Sequence, residues 1–357
     1  MAISALLISF ALNNDARFAF QQKRVSYTLL VKRRLKHLRH RAEWFFLRMG
    51  GGIVPLLPRS LCYQLAQFLG AIAFLIDRRG RGVALSNLEV ALGKELSPPE
   101  RRRIARKSYQ SFATTLLDLL WSPRLNKNNF RRYLDIENLE RAERDAGVAR
   151  SGIVASIHYG NFEWLSLAMG FLGYPADIVA EAQKNSLINP FLENARIRSG
   201  HKVIPRKGAI MRFYKTLRRG GRVALLVDLT VRPKTPSVVI ECFGLKTCVT
   251  LAHSWLHQRT GAPIIPAHCE PLPGGKYRIV CHPKIELPSN ASATEIAQAC
   301  WDCFEPVVRE NPGPWLWMYK HWRYRPSDAQ REYPFYANRQ PHFEELTKRL
   351  QREAEAR

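Results

Sequence analysis

The chain has 357 residues, 46% of them hydrophobic and 10% aromatic, which excludes a disordered protein and allows one large core with extensions. A net charge of +25 demands an anionic partner, whether nucleic acid, an acidic membrane surface or a phosphorylated substrate. Seven cysteines, an odd number spread from Cys62 to Cys303 and mostly in apolar runs (Cys242, Cys269, Cys281), exclude a secreted disulfide framework and fit buried thiols in the cytoplasm.

At the N-terminus the apolar run Ile3–Leu12 lacks a basic segment ahead of it, so no cleaved signal peptide is expected. It is also shorter than the ~20 residues a spanning helix needs. Residues 23–48 hold nine Lys/Arg against one acid, Glu43, and Trp44, Phe45, Phe46 and Leu47 sit beside them. That pattern fits a membrane-surface helix, and it fits equally a solvated charged face or an RNA-binding arm. Leu61–Ile76 is apolar for longer but carries Gln64 and Gln67, and Pro55 and Pro58 interrupt the stretch before it. Both apolar runs are expected to lie at an interface rather than to span.

Ser97-Pro98-Pro99-Glu100 is a capping box with proline at the first helical position. It opens a long helix through Ile104, Phe112, Leu116 and Leu120, and the chain reads helical to about residue 149. From Gly152 short β-rich runs alternate with helical stretches: Ile153–Ile157, Ile178–Ala180, Val203–Ile204, Val223–Val227, Val238–Phe243, Ile264–Ala267 and Tyr277–Cys281. A second capping box, Ser292-Ala-Thr-Glu295, opens a helix over Ile296–Val308, and past Pro326 the chain turns polar, ending in an exposed charged helix, Glu344–Arg357. The expected fold is α/β, a mixed sheet flanked by helices, with a helical, membrane-associated N-terminal region. The expected divisions are a basic, aromatic region (1–50), a main domain (51–326, helical over 51–149 and α/β over 150–326) and a polar tail (327–357).

His158-Tyr-Gly-Asn-Phe-Glu163 places an imidazole at the end of a buried strand and a carboxylate in the first turn of the next helix. Histidine, with an unperturbed pKa of about 6.5, can take the proton of an alcohol at neutral pH. A carboxylate on its other ring nitrogen fixes the tautomer and stabilises the imidazolium. Gly160 allows a tight turn, Asn161 is a good N-cap, and Glu163 sits where the helix dipole favours an anion. A core histidine and a surface glutamate beside a turn would leave the same pattern.

Arg196 and Arg198 precede the Arg206-Lys207 pair, with the short strand between them, so two cationic clusters are placed to clamp phosphate or carboxylate; solvated surface charge explains them equally well. Asp228 ends the strand Val223–Val227 at the carboxyl edge, where open α/β sheets carry ligand sites, and it suits a turn as well. His253 and His257 have the i,i+4 spacing of metal ligands but lack the glutamate of a metalloprotease motif and a third ligand. Cys300 and Cys303 lack a partner pair. Trp315-Leu-Trp-Met-Tyr-Lys-His-Trp-Arg-Tyr-Arg-Pro326 mixes stacking rings with cations, which suits single-stranded nucleic acid or a lipid-headgroup rim.

Together the motifs run in a specific order: a strand, His158-x4-Glu163, Arg196 and Arg198, Arg206-Lys207, a strand ending in Asp228, Cys242-Phe243-Gly244, Gly261-Ala262-Pro263 and Trp317-x-x-Lys320-x-Trp322-x-x-Arg325-Pro326. That order resembles the lipid A late acyltransferases (the lauroyl/myristoyl, HtrB-like family) of the wider lysophospholipid acyltransferase superfamily, from about Trp44 to Pro326. The resemblance implies an enzyme at the cytoplasmic face of the inner membrane that moves a fatty acyl chain from acyl carrier protein to a hydroxyl of a lipid A precursor. It implies His158 as general base and Glu163 as its partner. Asn161, Arg196, Arg198, Arg206, Lys207 and Asp228 are the expected substrate-binding residues. No cofactor or metal is expected, and the implied partners are acyl carrier protein, an anionic glycolipid and membrane lipids, not nucleic acid. Asp228-Leu-Thr-Val-Arg-Pro and Trp317-Met-Tyr-Lys-His depart from the family pattern, and the His158–Glu163 motif also looks like that of relatives acylating other glycolipids, mannosylated phosphoinositides among them. The rival of another class is a basic nucleic-acid-binding protein in which His158 and Glu163 are structural.

Overall fold

A computed structural model describes residues 34–147, 151–180 and 183–355. The run Ile3–Leu12 and the cations Lys23, Arg24, Lys32 and Arg33 lie outside the described residues. Helix α1 covers residues 34–53. Three helices follow, α2 (Arg59–Ile76), α3 (Arg78–Leu92) and α4 (Pro98–Trp121). The starts of α3 and α4 have local causes. Asp77 accepts the Gly80 N–H at 2.8 Å to cap α3, and Ser97 and Glu100 close the expected capping box on α4.

The rest alternates: β1 (Leu134–Glu137), α5 (Leu139–Ala146), β2 (Gly152–Ser156), α6 (Phe162–Phe171), β3 (Asp177–Ala180), α7 (Asn189–Ile197), β4 (Lys202–Pro205), α8 (Ala209–Arg218) and β5 (Arg222–Leu226). Then come the hairpin β6 (Ser237–Cys242) and β7 (Leu245–Thr250), α9 (Ala252–Thr260), β8 (Ile264–Leu272), β9 (Lys276–Cys281), α10 (Ala293–Asp302), α11 (Glu305–Glu310) and α12 (Pro341–Glu355). Seven strands form one sheet in the order β1-β9-β8-β2-β5-β3-β4, and β6 and β7 pair separately. Every neighbouring pair in the large sheet is parallel except β8 with β9. The mixed α/β sheet flanked by helices is thus present, and all seven expected strands exist.

Two expectations about local structure are corrected. The stretch before residue 149 is not all helical, because Leu134–Glu137 adds to the sheet edge beside β9. Four residues with one buried inward side chain carry too little periodicity to announce a strand. The C-terminal helix is not free in solvent either. Phe343 and Leu346 of α12 are buried with Val239 and Cys248 of the β6–β7 hairpin and Tyr324.

Packing covers both faces of the sheet. On one side Trp301, Trp315, Trp317, Trp322 and Phe243 form an aromatic core with α3, α9 and α10. On the other, Trp121, Trp164, Phe130 and Tyr277 pack beneath α4 and α6. Trp315, Trp317 and Trp322 are fully buried, so the aromatic, cationic stretch expected to offer stacking surfaces is interior instead. Burying each such ring stabilises the fold by about 1.5–3 kcal/mol.

Candidate active site

Strand β2 delivers His158, and the neighbouring parallel strand β5 delivers Asp228. Ser156 pairs with Leu226, so two residues further on His158 and Asp228 come level at the carboxyl edge of the sheet. Asp228 Oδ1 lies 2.8 Å from His158 Nδ1, and Oδ2 accepts the His158 backbone N–H at 3.0 Å and the Trp315 indole N–H at 3.0 Å. A carboxylate can only accept, so Nδ1 carries the hydrogen and Nε2 is left with a lone pair. The Asp228 side chain is fully buried while 15% of the His158 side chain is exposed, so the ring reaches solvent from a fixed base. Burial works to raise the Asp228 pKa, but the attraction and hydrogen bond of His158 and the Trp315 indole outweigh it and hold the carboxyl below its ordinary value. Phe162 packs its ring against the imidazole, 4.8 Å between centroids.

The turn from β2 into α6 depends on Gly160. Its φ is +55°, and a Cβ there would stand 1.9 Å from the Cys269 carbonyl oxygen, so no other residue fits. Asn161 then caps α6, its side chain accepting the Trp164 N–H at 2.9 Å while its amide donates to Asp118 at 2.7 Å. Asn161 is fully buried, and both ends of its side chain are used within the protein. In this structure Asn161 serves as the cap of α6. Helix geometry leaves the first-turn N–H groups of Phe162 and Glu163 pointing out of the helix N-terminus.

The Glu163 carboxylate, expected on His158, bonds Arg196 instead, Nε to Oε2 at 3.0 Å and Nη2 to Oε1 at 2.5 Å. Five residues of separation across a turn brought Glu163 near the histidine in sequence only. Glu163 faces α7, whereas the strand beside β2 supplies Asp228 to the ring nitrogen. The partly buried, forked ion pair fixes Arg196 at the end of α7.

The family model of bacterial lipid A biosynthesis acyltransferases matches residues 31–324 of this chain. This chain belongs to that family. It is 23% identical over 297 residues to the lipid A biosynthesis palmitoleoyltransferase of Escherichia coli K12, covering 82% of this chain and 95% of the relative. It is 25% identical over 233 residues to the phosphatidylinositol mannoside acyltransferase of Mycobacterium tuberculosis H37Rv, covering 63% of this chain and 72% of that protein. It is thus an acyltransferase of glycolipid biosynthesis.

For this acyltransferase the remaining cations divide. Arg198 donates to the Pro123 carbonyl at 2.8 Å and so ties down a short 3-10 turn, Ser122–Arg124. Arg206 and Lys207 follow β4, three strand positions from β2, or roughly 14 Å at normal strand spacing. They share the carboxyl edge with His158. His253 is buried with neither ring nitrogen hydrogen-bonded among the described residues, and His257 bonds the Ala262 carbonyl at 2.8 Å. Cys300 is buried and Cys303 half-buried, both as free thiols. Sequence reasoning missed the Trp315 indole as a donor to Asp228, since nothing marks one buried tryptophan among several. It also missed Asp118, a lone acid inside an otherwise apolar helix segment, and that isolation was the available signal.

Proposed function

We propose that this acyltransferase moves a fatty acyl chain from acyl carrier protein to a hydroxyl of a lipid A precursor at the cytoplasmic face of the inner membrane. The observation that carries the chemistry is the 2.8 Å contact of His158 Nδ1 with Asp228 at the carboxyl edge of the sheet, which leaves Nε2 unprotonated on a ring that is 15% exposed. Nε2 takes the acceptor hydroxyl's proton as its oxygen attacks the thioester carbonyl. Asp228 steadies the imidazolium that forms. First-turn N–H groups of α6 stabilise the oxyanion. On collapse the C–S bond breaks, the imidazolium returns the proton to the leaving thiolate, and the ester remains on the acceptor. Arg196, held by Glu163, serves an acceptor phosphate, and Arg206 and Lys207 add positive charge at the carboxyl edge of the sheet.

Membrane attachment is part of this reading. Leu35, Leu38, Trp44, Phe45, Phe46, Met49 and Ile53 of α1 are exposed, as are Leu61, Phe68, Leu69, Leu75 and Ile76 of α2. Helix α2 spans 18 residues with a mean hydropathy of 1.3 and is long and apolar enough to cross a membrane. Fixed cations beside exposed aromatics favour an anionic leaflet, and burial of Trp315, Trp317 and Trp322 removes the stacking platform a nucleic-acid protein would need.

A second acceptor class, mannosylated phosphoinositides, is favoured by the 25% identity to a phosphatidylinositol mannoside acyltransferase. The deciding experiment incubates the detergent-purified protein with acyl-acyl carrier protein or acyl-coenzyme A and with either acceptor, and reads products by mass spectrometry. Acylated lipid A precursor formed from the carrier-protein thioester is the expected result. Transfer to the phosphoinositide alone, or from coenzyme A alone, overturns the corresponding half of the proposal.

A further inference from the structure

Helix α4 carries a stripe of polar side chains at helical spacing, Ser108, Ser111, Thr115 and Asp118, on a face turned into the protein. Each member bonds one of two loops that flank the site. Ser108 donates to the Trp315 carbonyl and accepts the Trp317 N–H at 3.1 Å, and Ser111 donates to the Pro314 carbonyl at 3.5 Å. Thr115 donates to the Gly160 carbonyl at 2.9 Å, and Asp118 accepts the Asn161 amide at 2.7 Å. One loop ends in the Trp315 indole on Asp228, and the other turns directly after His158.

Asp118 is the knot of this stripe. Besides Asn161 it accepts the Tyr277 hydroxyl at 2.5 Å and a two-pronged contact from Arg59, with Nη2 to Oδ2 at 3.0 Å. Arg59 also donates to the Gly275 carbonyl at 2.7 Å and lies against the Trp164 ring, 4.9 Å from its centroid. The Asp118 backbone carbonyl takes the Trp164 indole N–H at 3.1 Å. Residues of α2, α4, α6 and β9 therefore meet at one fully buried carboxylate. Burial pushes its pKa up to about 6, against the opposing pull of Arg59, Tyr277 and Asn161. A buried ion pair of this kind is a poor source of stability, because desolvating both charges offsets their attraction. What it supplies is fixed geometry at the Asn161 cap.

We infer that the polar stripe of α4 positions the acyl-transfer site, with Asp118 setting the first turn of α6 through the side chain of Asn161. This rests on the reading that His158 and that first turn perform the transfer. Asp118 touches no reacting atom in that reading and is a positioning residue. Displacing a helix N-terminus by a fraction of an ångström alters both the N–H groups offered to the oxyanion and the Phe162 ring against His158.

The test is a double-mutant cycle of Asp118→Asn and Asn161→Ala, with kcat and KM measured per folded protein and amide hydrogen exchange followed over residues 159–165. If Asp118 acts through Asn161, each single variant lowers kcat about tenfold or more with KM nearly unchanged. The double variant then loses little beyond the worse single one, and Asp118→Asn speeds exchange in that segment but not in α10. Independent, multiplicative losses in kcat overturn the inference, as does a lower melting temperature with kcat and local exchange unchanged. Should Asp118→Asn fail to fold, Tyr277→Phe removes a single hydroxyl and runs the same cycle. A wild type that transfers no acyl group would defeat the acyl-transfer reading, while the exchange data still decide whether Asp118 holds the turn.

Discussion

The turn after β2 and the helices α1 and α2 break opposite rules of burial. Around the turn, Asn161, Asp118 and Asp228 are buried polar groups, and each is fully engaged in hydrogen bonds. Along α1 and α2, large apolar side chains such as Phe46 and Phe68 stand 69% and 62% exposed. Desolvating a carboxylate and hydrating a phenyl ring both cost free energy, so neither region is explained by stability alone. The difference teaches what each is built against. Under the proposed function the polar interior is preorganised for charge that develops during transfer, and the apolar exterior faces a membrane.

The sharpest way to break the comparison is at the turn. His158→Ala is expected to lower kcat by about 10²–10⁴-fold while leaving circular dichroism and membrane recovery unchanged. A variant with half the wild-type rate would mean that the buried polar turn is only architecture. Asp228→Asn is expected to cost nearly as much, because an amide can hold Nδ1 in the wrong tautomer. The two losses should not multiply in the double variant. Glu163→Gln is expected to be milder, about tenfold, because it weakens the hold on Arg196 without touching the imidazole. The acid limb of kcat/KM separates these cases. It should move in Asp228→Asn and stay in place in Glu163→Gln, and the reverse pattern would restore Glu163 as the histidine's partner.

Much of this site could be read from the chain, and the failures have one cause. The apolar run ending at His158, the tight turn at Gly160 and the cap at Asn161 are local features, and each stands where local physics put it. The pairing of His158 with Asp228 spans 70 residues and exists only because β5 lies beside β2 in the sheet order. Strand ends were visible in the pattern, but neighbour relations between strands were not. Glu163 was favoured because it is near in sequence, and nothing local says that a helix placed 33 residues later carries Arg196 to it. The tryptophans from Trp315 to Trp322 failed for a related reason, since aromatic and cationic composition is the same for an outer stack and an inner core.

At the apolar region the expected effects are smaller. Phe45→Glu with Phe46→Glu should shift the protein from the membrane pellet toward the soluble fraction, since each ring withdrawn from a bilayer forfeits roughly 1.5–3 kcal/mol, about tenfold or more in partition. High salt should release a further part by screening the cations of α1. If both treatments leave the protein fully pelleted and extractable only with detergent, α2 is the anchor and the surface role of α1 is wrong.

The smallest effect concerns acid stability, and it tests whether buried polar groups matter where no site needs them. His253, far in sequence from the turn, is fully buried without a hydrogen-bond partner among the described residues, and burial lowers its pKa to about 4. Burial also lowers His282 and His321 to about 4. Below the ordinary value of 6.5 the unfolded chain takes up protons that the folded chain refuses. The stability these groups confer is therefore complete above pH 6.5 and drains away as pH falls toward 4, by up to about 1.4 kcal/mol per pH unit for each. Asp118 acts in the opposite sense. Its raised pKa means that the folded chain holds a proton more tightly between 3.8 and about 6, which offsets one histidine's share. These three histidines, joined by His268, which burial also lowers, outweigh the one raised carboxyl and leave a net loss on acidification. Replacing His253 by leucine, similar in size and without a titrating group, should shrink the fall in urea midpoint between pH 7 and pH 5 while leaving kcat unchanged. An equal fall in both proteins would mean that His253 gains a proton without opening the fold, and the contrast with the fully bonded turn at Asn161 would lose its energetic basis.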